Sequence, residues 1–118
     1  MQQIFTTETE GKTLIIVAHR PVSSFAVADV RAELDALTPE LQRAEVKGVV
    51  LDLEEMPYFG THMLEAMHLI GRPIRARGGK MALCNVSDVG HEILRTARFD
   101  SLWPICPSRQ EALQAVAE

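Results

Sequence analysis

Val46-Lys47-Gly48-Val49-Val50-Leu51-Asp52-Leu53, then Glu54-Glu55-Met56-Pro57-Tyr58-Phe59-Gly60, then the run from Thr61 to Pro73, read as a strand, a loop and a helix. The first stretch is apolar on consecutive positions at its centre, which marks a strand covered on both faces. The third puts Met63, Ala66, Met67 and Ile70 on one side of a helix and Glu65, His68 and Arg72 on the other. Pro73 is expected to end or kink that helix, because its ring clashes with the preceding turn. A doubly covered strand followed by an amphipathic helix is the repeating unit of an α/β fold.

The same unit recurs on either side. Upstream, Gln3 to Thr7 is β-prone, Glu8-Thr9-Glu10-Gly11 reads as a turn, and Thr13-Leu14-Ile15-Ile16-Val17-Ala18 is a second doubly apolar strand that Pro21 stops. These form a hairpin. Ser23 or Ser24 can cap a first helix that turns Val27, Val30, Leu34, Leu37 and Leu41 inward, with Thr38-Pro39 interrupting or restarting it. Downstream, Arg77-Gly78-Gly79 is a tight turn into the strand Lys80 to Asn85, and Ser87 can cap a helix carrying Val89, Ile93, Leu94 and Ala97 inward. A short strand from Leu102 to Cys106 follows. Ser108 and Glu111 have capping-box spacing before a last helix that buries Ala112, Leu113 and Val116. The order ββαβαβαβα implies a mixed sheet with about four helices.

With 118 residues, 47% hydrophobic and 24% charged, the chain is expected to fold as one domain over residues 1–118. A net charge of −4 with scattered basic residues argues against a nucleic-acid partner. Cys84 and Cys106 form no CxxC pair and fit small hydrophobes in a reducing cytosol. No apolar run is long enough to span a bilayer, and the first residues lack signal-peptide character, so a cytoplasmic protein without membrane insertion is expected. His19, His62, His68 and His91 have no metal-ligand spacing, and neither metal nor cofactor is expected.

The stretch from Gly48 to Val116 resembles the STAS family, the sulfate-transporter and anti-sigma-factor-antagonist domain. Val49-Val50-Leu51-Asp52-Leu53 is similar to the family's third strand, and Met56-Pro57-Tyr58-Phe59 to the hydrophobic loop leading to its regulatory site. Arg77 to Ser87 is similar to the family's Arg-Gly-Gly turn, fourth strand and next helix start. Ile93 to Ile105 resembles the following helix, linker and last strand, and Glu111-Ala112-Leu113 the start of the closing helix. Five pieces in the right order make the resemblance specific, whereas the first 45 residues match only as a hairpin and helix. Two departures stand out. Many anti-sigma factor antagonists carry Asp-Ser-Ser-Gly at the start of the second helix, the first Ser accepting phosphate, where this chain has Gly60-Thr61-His62-Met63. His19-Arg20-Pro21-Val22 stands where members often carry a Gly-Glu-Leu-Asp-like segment that takes part in kinase contacts.

The resemblance implies a non-enzymatic protein-interaction module binding an anti-sigma factor or serine-kinase-like partner. The alternative is a constitutive subunit of a lipid-transport ATP-binding cassette complex or stressosome-like assembly. It makes Thr61 the expected phosphorylation site, although a Thr at a helix start also serves as a backbone cap. Tyr58, Phe59, Gly60, His62, Glu65 and His68 are the expected partner-binding residues, with burial the other role open to Tyr58 and Phe59. Asp52 is either a supporting acid at the ligand edge of the sheet or a structural acceptor of loop N–H groups. His62 beside Thr61 is no nucleophile–base pair, since helix neighbours point about 100° apart and no orienting acid is evident. Arg75, Arg77, Arg95 and Arg98 read as a solvated face.

Overall fold

The computed structural model describes residues 5–19 and 27–117. The expected strand start at Gln3, the Pro21 stop and the caps at Ser23 or Ser24 lie outside them, as do the side chains of Val27, Val30 and Thr61. The elements are β1 Phe5–Glu10, β2 Thr13–Ala18, α1 Val27–Leu41, β3 Gly48–Asp52, α2 Thr61–Ala76, β4 Lys80–Cys84, α3 Asp88–Thr96, β5 Ile105–Cys106 and α4 Arg109–Val116. The expected ββαβαβαβα order is therefore the observed one.

The sheet runs β1-β2-β3-β4-β5, with β1 antiparallel to β2 and every other pair parallel. Each crossover steps one strand in the same direction, so a common handedness leaves α1, α2 and α3 on one face. Against them pack Leu14, Ile16, Val49, Leu51, Met81 and Leu83. The alternate residues Ile15, Val17, Val50, Ala82 and Cys84 point to the other face, where Ala112 and Val116 of α4 cover them. Both faces are filled, which is why β2, β3 and β4 are apolar on consecutive positions.

The first hairpin is longer than expected. Glu8, Thr9 and Glu10 belong to the strand, opposite Ile15, Leu14 and Thr13, and the turn is Gly11-Lys12 with Gly11 at φ 62°. Polar residues suit an edge strand whose outer side faces water. Neither proline breaks its helix: α1 continues past Pro39 and α2 past Pro73. In α2 the lost bond is flanked by Ile70 and Ile74, both at 0% exposure. Burying two such side chains contributes about 1.5–3 kcal/mol each, enough to offset the roughly 3 kcal/mol that an internal proline costs. Arg77 is exposed, as expected, but its guanidinium is anchored. Its Nη2 donates to the carbonyls of Leu41 (2.6 Å) and Val46 (3.0 Å), closing the C-terminal end of α1.

Two further expectations are corrected near the C-terminus. Ser87 does cap α3, accepting the Gly90 N–H at 2.9 Å, but Val89 faces solvent while Gly90 and Leu94 face the core. Leu94 fixes the buried side, and Val89, five residues earlier, lies about 140° around the helix from it. The strand expected from Leu102 is only Ile105–Cys106; Phe99–Ser101 is a short 3-10 helix, and Trp103 is buried with its ring edge-on to Phe99 at 5.2 Å. Among the described residues, no helix is long and apolar enough to cross a membrane.

Gly79 is fixed by close approach: a Cβ there would stand 2.6 Å from the Lys47 carbonyl oxygen, which is backbone and cannot swing away. Gly79→Ala is expected to lower stability by about 1–3 kcal/mol, read as a lower urea midpoint with an unchanged slope.

Candidate functional site

The site lies at the C-terminal edge of the sheet, where the loop 53–60 leaves β3. Asp52 ends that strand at 2% exposure, and its carboxylate is saturated. Oδ1 accepts the Glu54 backbone N–H at 3.0 Å and the Asn85 side-chain amide at 3.1 Å. Oδ2 accepts Nε of Arg109 at 3.0 Å, and Nη2 stands at ion-pair distance, also 3.0 Å. Three hydrogen bonds and the ion pair occupy both oxygens, so Asp52 holds the loop and presents nothing to a partner. Asn85 stands at φ 57°, a left-handed conformation that Asn tolerates better than most residues. Arg109 reaches on with Nη1 to Glu8 on β1 at 3.3 Å. Burial works against its charge, but the hydrogen bond and charge of Asp52, with Glu8 behind them, outweigh it and raise its pKa.

The loop is pinned at two further points. The Ser87 hydroxyl donates to the Pro57 carbonyl at 2.5 Å while accepting the Gly90 N–H, which ties the loop to the start of α3. His19 bridges Thr6 on β1 and Glu55 in the loop, with Nε2 2.7 Å from Thr6 Oγ1 and Nδ1 2.9 Å from Glu55 Oε1. Between these pins the aromatic pair divides. Phe59 enters the core at 4% exposure and lies against Gly90, whereas Tyr58 is 68% exposed. Phe59 is thus the anchor of the loop and Tyr58 its surface, which corrects the placing of Phe59 among exposed contact residues.

The helix that follows begins at Thr61, as expected, with Gly60 before it. Gly60 occupies the N-cap, makes no side-chain cap, and its carbonyl accepts the N–H groups of Met63 and Leu64 at 3.1 Å each. Thr61 is the first helical residue, so the capping role expected for it falls to the glycine backbone. The first turn carries no acidic residue. Gly60, His62, Glu65 and His68 are exposed, and the last three share one face of α2. Tyr58, Gly60, His62, Glu65 and His68 therefore line the outer surface, while Phe59 and Asp52 lie beneath it.

Sequence reasoning missed Asn85 and Arg109 as parts of this edge, and placed His19 only in the segment that stands where members often carry kinase-contacting residues. Their spacing from Asp52 is long and irregular, and no local pattern marks them. The two thiols offer no nucleophile: burial first, then the charge of Asp52, push Cys84 up to about 12, and burial also raises half-buried Cys106. Both stay protonated near neutral pH. Among the described residues, no group of three or more His, Cys, Asp or Glu side chains is placed to hold a metal ion.

The family model of the STAS domain matches residues 5–112. The chain belongs to the STAS domain family. It is 28% identical over 102 residues to the Bordetella bronchiseptica protein named "Putative anti-sigma factor antagonist BtrV", covering 86% of this chain and 84% of that one. The anti-sigma-factor antagonist STAS domain protein of Planctomyces limnophilus has the same fold, with a TM-score of 0.79 at 25% identity over 97% of this chain and 98% of that one. So does the Bacillus cell fate determinant SpoIIAA in its phosphorylated form, at a TM-score of 0.68, 18% identity, and 96% and 99% coverage. In this STAS domain the fold matches the one implied by the sequence, and the loop before α2 is its most built surface.

If Asp52 is the tie between loop, β4 and α4, an amide cannot replace it, because either orientation turns an NH2 toward a donor. Asp52→Asn is expected to cost about 1–3 kcal/mol in chemical denaturation. An unchanged midpoint would remove Asp52 from that role.

Proposed function

We propose that this chain is a non-enzymatic regulatory module of the cytoplasm. It binds an anti-sigma factor or a related serine-kinase-like partner through Tyr58, Gly60, His62, Glu65 and His68, and phosphorylation of Thr61 switches that binding off. The observation that carries the reading is the division of the aromatic pair. A loop fixed by Phe59 below and by Ser87 and His19 at its sides holds Tyr58 out in water, ordered in advance of a partner. Tyrosine is favoured as an interface anchor because it offers a large contact area, and a fixed loop has little freedom left to lose on binding.

The switch has a physical basis in the start of α2. The first turn of a helix has free N–H groups and the positive end of the dipole, and here neither an acidic side chain nor a side-chain cap already occupies it. A phosphate on Thr61 would be held there and would bring about −1.5 to −2 of charge to the docking face. That charge repels an apolar or acidic partner surface. Family membership and the named relatives support the class of partner, since both point to antagonists of anti-sigma factors.

The test takes the protein with its cognate kinase-type partner and ATP. Phosphate is expected on Thr61 by mass spectrometry, and Tyr58→Ala is expected to weaken partner binding at least tenfold by calorimetry, about 1.4 kcal/mol. Unmodified Thr61 beside a working control substrate ends the switch; undiminished binding by both Tyr58→Ala and His62→Ala ends the assignment of the face.

A further inference from the structure

We propose that the domain carries a second site, at the opposite pole of the sheet, that binds a small organic phosphate. A cavity of about 670 Å³ opens there between the entering ends of β2, β3 and β4 and the last turn of α4. That size falls within the range of small-molecule sites, roughly 300–1,000 Å³. Its lining is mixed in chemistry. Lys12, Lys47 and Lys80 supply cationic lining, Leu113 and Val116 apolar lining, and Thr13 a hydroxyl.

The lysines are gathered by the sheet itself. Each is the residue at or just before the start of a strand, and their backbones are hydrogen-bonded in a row: Lys47 N to Lys12 O at 2.8 Å and Lys80 N to Lys47 O at 3.2 Å. Neighbouring strands lie about 4.8 Å apart, and all three lysines line the cavity. Among the described residues none of them has a carboxylate within ion-pair distance. Arg77 adds a fourth charge, held in place by the carbonyls of Leu41 and Val46. Glu10 is the one carboxylate among the residues lining the cavity. This concentration of positive charge stands in a chain whose net charge is −4. Like charges around one cavity repel each other, and an anion among them removes that cost.

Thr13 adds a hydroxyl to the same lining. It is 8% exposed, on the same sheet face as Ile15 and Val17, and its hydroxyl makes no hydrogen bond to any described residue. The hydroxyl is not sealed from solvent, so it is free to bond a ligand oxygen that enters the cavity. A phosphate fits: it offers charge to the lysines, which bind phosphate as point charges, and acceptor oxygens to the Thr13 hydroxyl. The apolar lining of Leu113 and Val116 gives the organic body of the ligand a seat, which a bare inorganic anion would not use. The site is far from the Tyr58 face and is independent of the proposed docking function.

The experiment is an amide NMR titration of the full chain with phenyl phosphate, and with sulfate at matched ionic strength. Saturable shifts are expected at Lys12, Thr13, Lys47, Lys80 and Val116 but not at Tyr58 or His62, with sulfate at least tenfold weaker. Thr13→Val and the pair Lys47→Gln with Lys80→Gln should each fold and each reduce affinity, the lysine pair by tenfold or more. Absent or unsaturable shifts, equal binding of sulfate, or unchanged affinity in the folded Thr13→Val and Lys→Gln proteins would overturn the proposal.

Discussion

A buried carboxylate at the end of the middle strand governs how the upper edge of this domain is built. Asp52 takes one hydrogen bond from each of three places: its own following loop, the residue after β4, and the first residue of α4, which also forms an ion pair with it. A charge removed from water needs such complete pairing, since an unpaired one costs several kcal/mol. The demand works in the other direction as well. Satisfying Asp52 obliges the loop to turn at Glu54, holds Asn85 in a left-handed conformation, and draws α4 across the second sheet face, where its apolar side completes the core.

On that base the docking edge is assembled by contrast between what is held and what is free. Phe59, the Pro57 carbonyl and Glu55 are each tied to a different element, and Tyr58 projects between them. A surface made rigid in this way can be switched by charge alone, because a phosphate added at the helix start alters the potential of the face without moving its scaffold. The opposite pole has the reverse character: three lysines at or before the starts of neighbouring strands line one cavity, and none is ion-paired among the described residues. A small domain whose two sheet ends differ in charge and chemistry has room for two kinds of ligand.

The element order, the two faces of the sheet and the inward side of α2 were legible because each is a local periodicity of apolar residues. Leu14 to Val17 and Val49 to Leu51 alternate between the two cores as a doubly covered strand requires. Reading failed where distant packing outweighed local preference. Pro39 looks like an interruption and Pro73 like an end or a kink, yet both helices continue past them. Glu8 to Glu10 look like a turn, yet pairing with β2 makes them an edge strand. Val89 looks like a core residue, yet Leu94 sets the rotation of α3 and turns it outward.

The sequence by itself determined that this is a mixed α/β domain of the STAS type, that a loop with two aromatics precedes the second helix, and that Thr61 begins that helix. These follow from residue types and spacings a few positions apart. Only the tertiary structure decided that Tyr58 is surface and Phe59 core, that Asp52 is bound up with Arg109, 57 residues away, and that Lys12, Lys47 and Lys80 line one cavity. Such pairings depend on strand register and crossover geometry, which bring together residues that no local pattern relates.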